Sequence, residues 1–189
     1  MGSPAIKNIW ARVAMRRVRA FPPDERDPLL ERIDRATQNL IARTRSDEWL
    51  AIDQALTVCD ALVAVLGPKR AVGFWSDVVY DSWVGGLLEP LVGKAGGDPL
   101  GLVSVAPAAW ALSARDCGEV VVVPNPGGGV RLEARDLPPE VRDSLGIQAM
   151  YAGALEAMLS HSKLDARVKI HAEGDGPIAF ELLFPPGGY

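Results

Sequence analysis

The side chains that could do chemistry in this chain are few, and they are scattered. His161 sits in Leu159-Ser160-His161-Ser162, the closest approach to a nucleophile beside a base. Sequence neighbours on a helix point apart, so neither serine is expected to face the imidazole. The plain reading puts His161 in a last helical turn, where partial positive charge suits the helix end. His171 falls at a strand end with no second ligand in view, which makes a poor metal site. Cys59 and Cys117 are far apart and match no Cys/His ligand spacing, so buried, reduced thiols are expected. Asp77 and Asp81, four apart on one helix face, and Glu89 read as solvated carboxylates rather than an acid/base pair. Gly127-Gly128-Gly129 is followed by neither form of phosphate-loop motif and joins two extended runs, so it reads as a hairpin turn. No catalytic residue and no metal ligand is assigned, and no enzyme is expected.

Two other groupings suit binding. Phe74, Trp75, Val79, Tyr80 and Trp83 put aromatic rings with a few polar tips close together, as an apolar ligand pocket requires. Gly73, Gly85 and Gly86 beside them could leave space, although the same residues would serve equally to fill a core. The first 21 residues carry Ile6 and Trp10 at helical spacing among Arg12, Arg16, Arg17 and Arg19. Such a basic amphipathic helix could dock on an acidic partner or an anionic membrane, or simply cover the core.

The elements that would position these groups follow from periodicity. A helix is predicted over Pro4 to Phe21, then a second from Asp24 with Leu29, Leu30, Ile33, Leu40 and Ile41 as its stripe. A third is expected with Ser46 as its N-cap, stopped by Gly67-Pro68. Lys69 to Val84 and Ala106 to Ala114 complete a helical part spanning 22–116. From 117 the pattern turns extended. Glu119–Val123 pairs with Val130–Ala134, and Arg167–His171 pairs with Ile178–Phe184. Between the hairpins runs a helix from Glu140 to Ser160, whose Ala149, Ala152, Gly153 and Ala157 suit close packing on the sheet. The expected fold is α+β, one domain over 1–189, with a helical N-terminal half on an antiparallel sheet of about four strands and a mobile tail at 185–189.

Composition narrows the classes. The chain has 189 residues, 48% of them apolar, enough for a substantial core in one domain. A net charge of −4 disfavours nucleic acid as a partner. The longest uncharged run, Pro99 to Ala114, is too short to span a bilayer and contains Pro107. The N-terminus has no apolar leader core, so a cytoplasmic location is expected.

One resemblance joins these features. Gly97-Asp98-Pro99-Leu100-Gly101-Leu102, Ala106-Pro107-Ala108-Ala109-Trp110, Leu137-Pro138-Pro139, Gly153-Ala154-Leu155-Glu156-Ala157 and the closing hairpin of Ala166–Ile170 with Phe180–Leu182 follow one another in this order. Together they resemble an uncharacterised paralogous family expanded in myxobacteria. That family looks related to the ligand-binding superfamily of 4-vinyl reductase domains, haem nitric-oxide sensors and TRAPP transport-complex subunits. The resemblance implies a pocket between helices and sheet, and a role as a sensor of a small apolar ligand in signalling. It equally implies a protein-association module, a homodimer or adaptor, working through the N-terminal helix. This chain has no Tyr-x-Ser-x-Arg motif and no cysteine cluster, so no haem, metal or other cofactor is expected.

Overall fold

The computed structural model describes residues 2–83, 99–124, 130–161, 167–172 and 176–183, with the side chains of Trp83, Pro99, Leu100, Leu102 and His161 left out. The Gly85-Gly86 break, Glu89, the loop at 125–129 and the tail at 185–189 lie outside the described residues.

The chain starts as a strand, which the helical reading of Pro4 onward did not foresee. Ala5–Lys7 (β1) pairs antiparallel with Trp49–Ala51 (β2) and with Ala114–Arg115 (β3), giving a small sheet of order β2-β1-β3. Helix α1, Asn8–Arg19, follows at once. Its first amide groups need acceptors. Carbonyls from the segment before β2 supply them, since Asn8 N–H donates to Glu48 O and Ile9 N–H to Ser46 O, both at 3.0 Å. The fully buried Asn8 side chain donates to Ile41 O at 3.0 Å and Thr44 O at 2.8 Å. Ser46 therefore does not cap a third helix. Its carbonyl closes the start of α1, Trp49–Ala51 pairs with β1, and the helix begins only at Ile52.

The predicted second helix is two. Pro23–Arg32 (α2) ends where Ile33 turns extended, and Arg35–Arg43 (α3) starts behind Asp34, whose carboxylate accepts from Thr37 N–H at 2.9 Å. That cap satisfies a free amide and separates the two helices. Ile52–Leu66 (α4) stops at Gly67, whose φ of 77° is the left-handed conformation glycine adopts without a Cβ clash. Pro68 then opens α5, Pro68–Trp83. Pro99–Ser104 (α6) and Ala106–Ser113 (α7) lead into β3.

The larger sheet has the expected make-up. Glu119–Pro124 (β4) pairs with Val130–Arg135 (β5), and Arg167–His171 (β6) pairs with Ile178–Leu183 (β7). The hairpins join through β5 and β7 in the order β4-β5-β7-β6, all antiparallel. On β5 the buried residues alternate as Val130, Leu132 and Ala134, the period of a sheet with one face on the core.

The helix between the hairpins is also interrupted. Pro139–Arg142 (α8) precedes Leu145–His161 (α9), and the break serves α4. Asp60 of α4 accepts from Ser144 Oγ at 2.6 Å and from Gly146 N–H at 3.2 Å, and Ser144 Oγ accepts from Ile147 N–H at 3.0 Å. An acidic group thus closes the positive end of α9. The small residue Gly153 packs on a helix, not on the sheet as expected. A Cβ there would lie 2.5 Å from Val72 O and 2.7 Å from Ser76 N, both on α5. Ala149 and Ala157 stand one turn to either side on the same face, so this stripe lets α9 approach α5, and its other side is left for the sheet. The buried apolar side chains form one continuous core from Ile6 to Leu182.

Candidate functional site

The groups suited to covalent chemistry stay apart. Cys59 and Cys117 are buried and unpaired, and burial raises both thiols, Cys117 to about 11. An activated nucleophile needs the opposite shift. His171 faces Glu181 at 3.1 Å across the β6–β7 pair. Asp77 and Asp81 both bind Arg17 at 3.0 Å, joining α5 to α1. Among the described residues no three His, Cys, Asp or Glu side chains gather as a metal would need, and no helix is long and apolar enough to cross a membrane. The side chain of His161 lies outside the description.

Apolar side chains do converge. A cavity of about 70 Å³ lies between the larger sheet and the helices laid over it. Its sheet wall is Val120, Leu132 and Phe180 from β4, β5 and β7. Its helical wall is Met150, Tyr151, Leu155 and Met158 of α9, with Ala109 and Trp110 of α7. Ile6, Trp10 and Val79 close it from β1, α1 and α5. Trp110 and Ala154 are half-buried and form its outer rim, while the other lining residues are buried. None of the described lining residues carries a charge.

Two of the lining side chains hold a buried polar atom. Trp10 Nε1 and Tyr151 OH are buried and have no hydrogen-bond partner among the described residues. Each leaves a donor without an acceptor, a condition native interiors rarely tolerate. Burial pushes the Tyr151 phenol well above the ordinary tyrosine range, so it stays protonated and able to donate. Its ring is fixed between Trp110, at 4.2 Å between centroids, and Phe180, stacked at 5.6 Å. The other polar groups nearby are occupied: Ser113 Oγ donates to Ala109 O at 2.7 Å, and Trp110 Nε1 to Gly118 O at 3.2 Å.

Of the five aromatic and apolar residues singled out on α5, four have described side chains, and of these the cavity takes Val79 alone. Phe74 packs edge-on between Phe21, at 5.7 Å, and Trp75, at 5.8 Å, as filled core. Trp75 is buried beside Gly153. Tyr80 is 48% exposed on the outer side of the helix, and the Trp83 side chain lies outside the description. Residue 75 shares a face with 79, but 74 and 80 point elsewhere around the helix, so closeness in sequence did not make them one wall.

The partner-facing residues also divide. Ile6 is 2% exposed and Trp10 7%, and both line the cavity, so these two side chains cover the protein's own core and are not presented outward. Arg17 is held by Asp77 and Asp81. Arg12, Arg16 and Arg19 are exposed and line a groove between α1 and α3. Trp110 and Tyr151 went unrecognised as site residues, and Trp10 was read as partner-facing, because the three come from helices distant in sequence. The one local trace was that each is a large ring with a polar tip. Compared with models of known protein families and with curated proteins, the chain matches none.

Proposed function

We propose that this protein is a binding domain that holds a small neutral molecule in the cavity between its helices and its larger sheet, as a ligand-sensing unit of a cytoplasmic signalling system. The observation that carries this reading is the pair of unpartnered donors, Trp10 Nε1 and Tyr151 OH, on an otherwise apolar cavity. A hydroxyl or carbonyl oxygen on an apolar body would bring the kind of acceptor that these donors lack. A carboxylate would be buried without a cation among the described lining residues, at a cost of several kcal/mol, so a neutral ligand fits better. The size of the cavity suits a slim molecule, since about 70 Å³ is roughly the share of two to three water molecules in the liquid. The groups present donate hydrogen bonds and supply no activated nucleophile, which supports holding rather than transforming. The resemblance to a ligand-binding superfamily implies the same pocket, and two buried, unpaired thiols suit a reducing compartment.

The test is a titration with linear alcohols from ethanol to hexanol, followed by the methyl resonances of labelled methionines. Met150 and Met158 line the cavity and should shift saturably, strongest at one chain length, while Met15 on the far side of α1 should not. Ala109→Leu, which fills the space, should weaken binding at least tenfold. Equal response of all three methyls, or an unchanged affinity in the filled variant, would sink the reading.

A second reading, protein association through α1, is favoured by Arg12, Arg16 and Arg19 standing together on an exposed face of that helix.

A further inference from the structure

The groove beside α1 has the size and the charge of a recognition site. It encloses about 530 Å³, within the roughly 300 to 1,000 Å³ of sites that hold ligands of drug size. Arg12, Arg16 and Arg19 line it at positions i, i+4 and i+7, one face of the helix, and the helical rise spreads them over about 10 Å. Arg12 keeps part of its guanidinium on Ala42 O, at 2.9 Å, and Thr44 O, at 2.8 Å, which fixes it at the end of α3. Arg16 and Arg19 have neither an ion pair nor a hydrogen bond to any described residue. The one acidic side chain among the described lining residues, Asp81, is paired at 3.0 Å with Arg17, a cation it shares with Asp77. Two of the neutral polar lining side chains are engaged within the fold, since Gln38 Nε2 donates to Ile33 O at 2.6 Å and Ser82 Oγ to Val78 O at 2.7 Å. What remains is a row of cations over the apolar side chains of Ile9 and Val13, in a protein whose net charge is −4.

We infer that this groove binds an acidic, amphipathic segment of a partner protein, its carboxylates paired with Arg16 and Arg19 and its apolar side chains laid on Ile9 and Val13. The inference deepens the reading of α1 as an association element and is independent of the cavity. A row of charges about 10 Å long matches carboxylates repeated along a peptide better than it matches a single anion, which would engage only one end. A flat anionic membrane fits less well. The groove is concave, and Ile6 and Trp10, the residues of this region able to insert into lipid, are buried in the core.

The test uses the whole chain and a fluorescein-labelled helical peptide with Glu at every fourth position and Leu between. Saturable binding is expected by fluorescence anisotropy, weakened at least tenfold in Arg16→Gln/Arg19→Gln and by raised salt, with the thermal midpoint little changed. Arg35→Gln, on the opposite end of α3, should bind as the wild type does. A variant with Arg16→Glu and Arg19→Glu should instead prefer the same peptide with Lys in place of Glu, which a nonspecific loss of structure would not produce. Three results would each overturn the inference: no binding, equal binding of a Gln-substituted peptide, or arginine-dependent sedimentation with phosphatidylserine vesicles when the peptide fails to bind. Loss of peptide binding with the methionine shifts retained would remove the groove alone and leave the cavity reading intact.

Discussion

Glu156 of α9 sits half-buried against the start of β6, where Val168 N–H donates to its Oε1 over 3.4 Å. Burial raises its carboxyl above the ordinary value of 4.5, and the Val168 amide and the Arg167 charge only partly offset this. The sign of the consequence is fixed by linkage. The folded protein holds this proton more tightly than the unfolded chain, so the favourable contribution is full below 4.5 and is lost as pH rises through the folded value. Above that window the ionised carboxylate is a net burden on the fold. Glu156→Gln keeps an acceptor for Val168 and carries no charge. Its thermal midpoint should therefore gain on that of the wild type between about pH 4 and about pH 7. A constant difference across that range would mean that burial of the charge is not what matters at this position.

At the scale of elements, two glycine substitutions of identical chemistry should have opposite signs. Gly153→Ala places a methyl 2.5 Å from Val72 O and so pries α9 from α5, at a cost of about 1 to 3 kcal/mol. Gly73→Ala, in the interior of α5 with nothing within 4 Å of the new methyl, should stabilise by about 0.5 to 1 kcal/mol through helix propensity. Thermal unfolding followed by circular dichroism reads both, and matching signs would contradict the packing described. Helices of this kind were legible in the sequence wherever apolar residues recur over three turns or more, as in α4, α5 and α9. So were the two hairpins, because Val120 to Val123 and Ile178 to Leu182 offer nothing a helix face would prefer. The small sheet was not legible. Its strands are two or three residues long, too short to alternate, and Ile6 meets the demands of a helix stripe as well as it meets Leu50 and Ala114 across a ladder. The divided helices were legible in principle, since Asp34 with Thr37 and Ser144 with Ile147 are ordinary start signals, but each is overridden in a periodicity reading by apolar residues that continue on both sides. The cavity was least legible of all. It is lined from eight described elements, and composition near any one of them is that of a filled core.

That dependence on many elements makes the cavity a property of the whole molecule, and binding there should be read out in global stability. A ligand that occupies only the folded state stabilises it by an amount set by its concentration over its dissociation constant, about 2.7 kcal/mol at one hundredfold excess. Tyr151 is where this can be separated from simple packing. Without ligand its buried hydroxyl faces no acceptor among the described residues, so the fold carries a desolvation cost that nothing returns. Tyr151→Phe removes that cost and keeps the ring between Trp110 and Phe180. The variant should therefore be more stable than the wild type by about 1 kcal/mol in the absence of ligand, and should gain less than the wild type when an alcohol is added. A tyrosine kept for structure would show the reverse in the first measurement, losing stability as a hydrogen bond is broken. Denaturant unfolding of both proteins, with and without the alcohol of the series that binds the wild type most tightly, decides the matter. A less stable Tyr151→Phe, or an equal gain from the alcohol in the two proteins, would place the hydroxyl in the architecture and not in recognition.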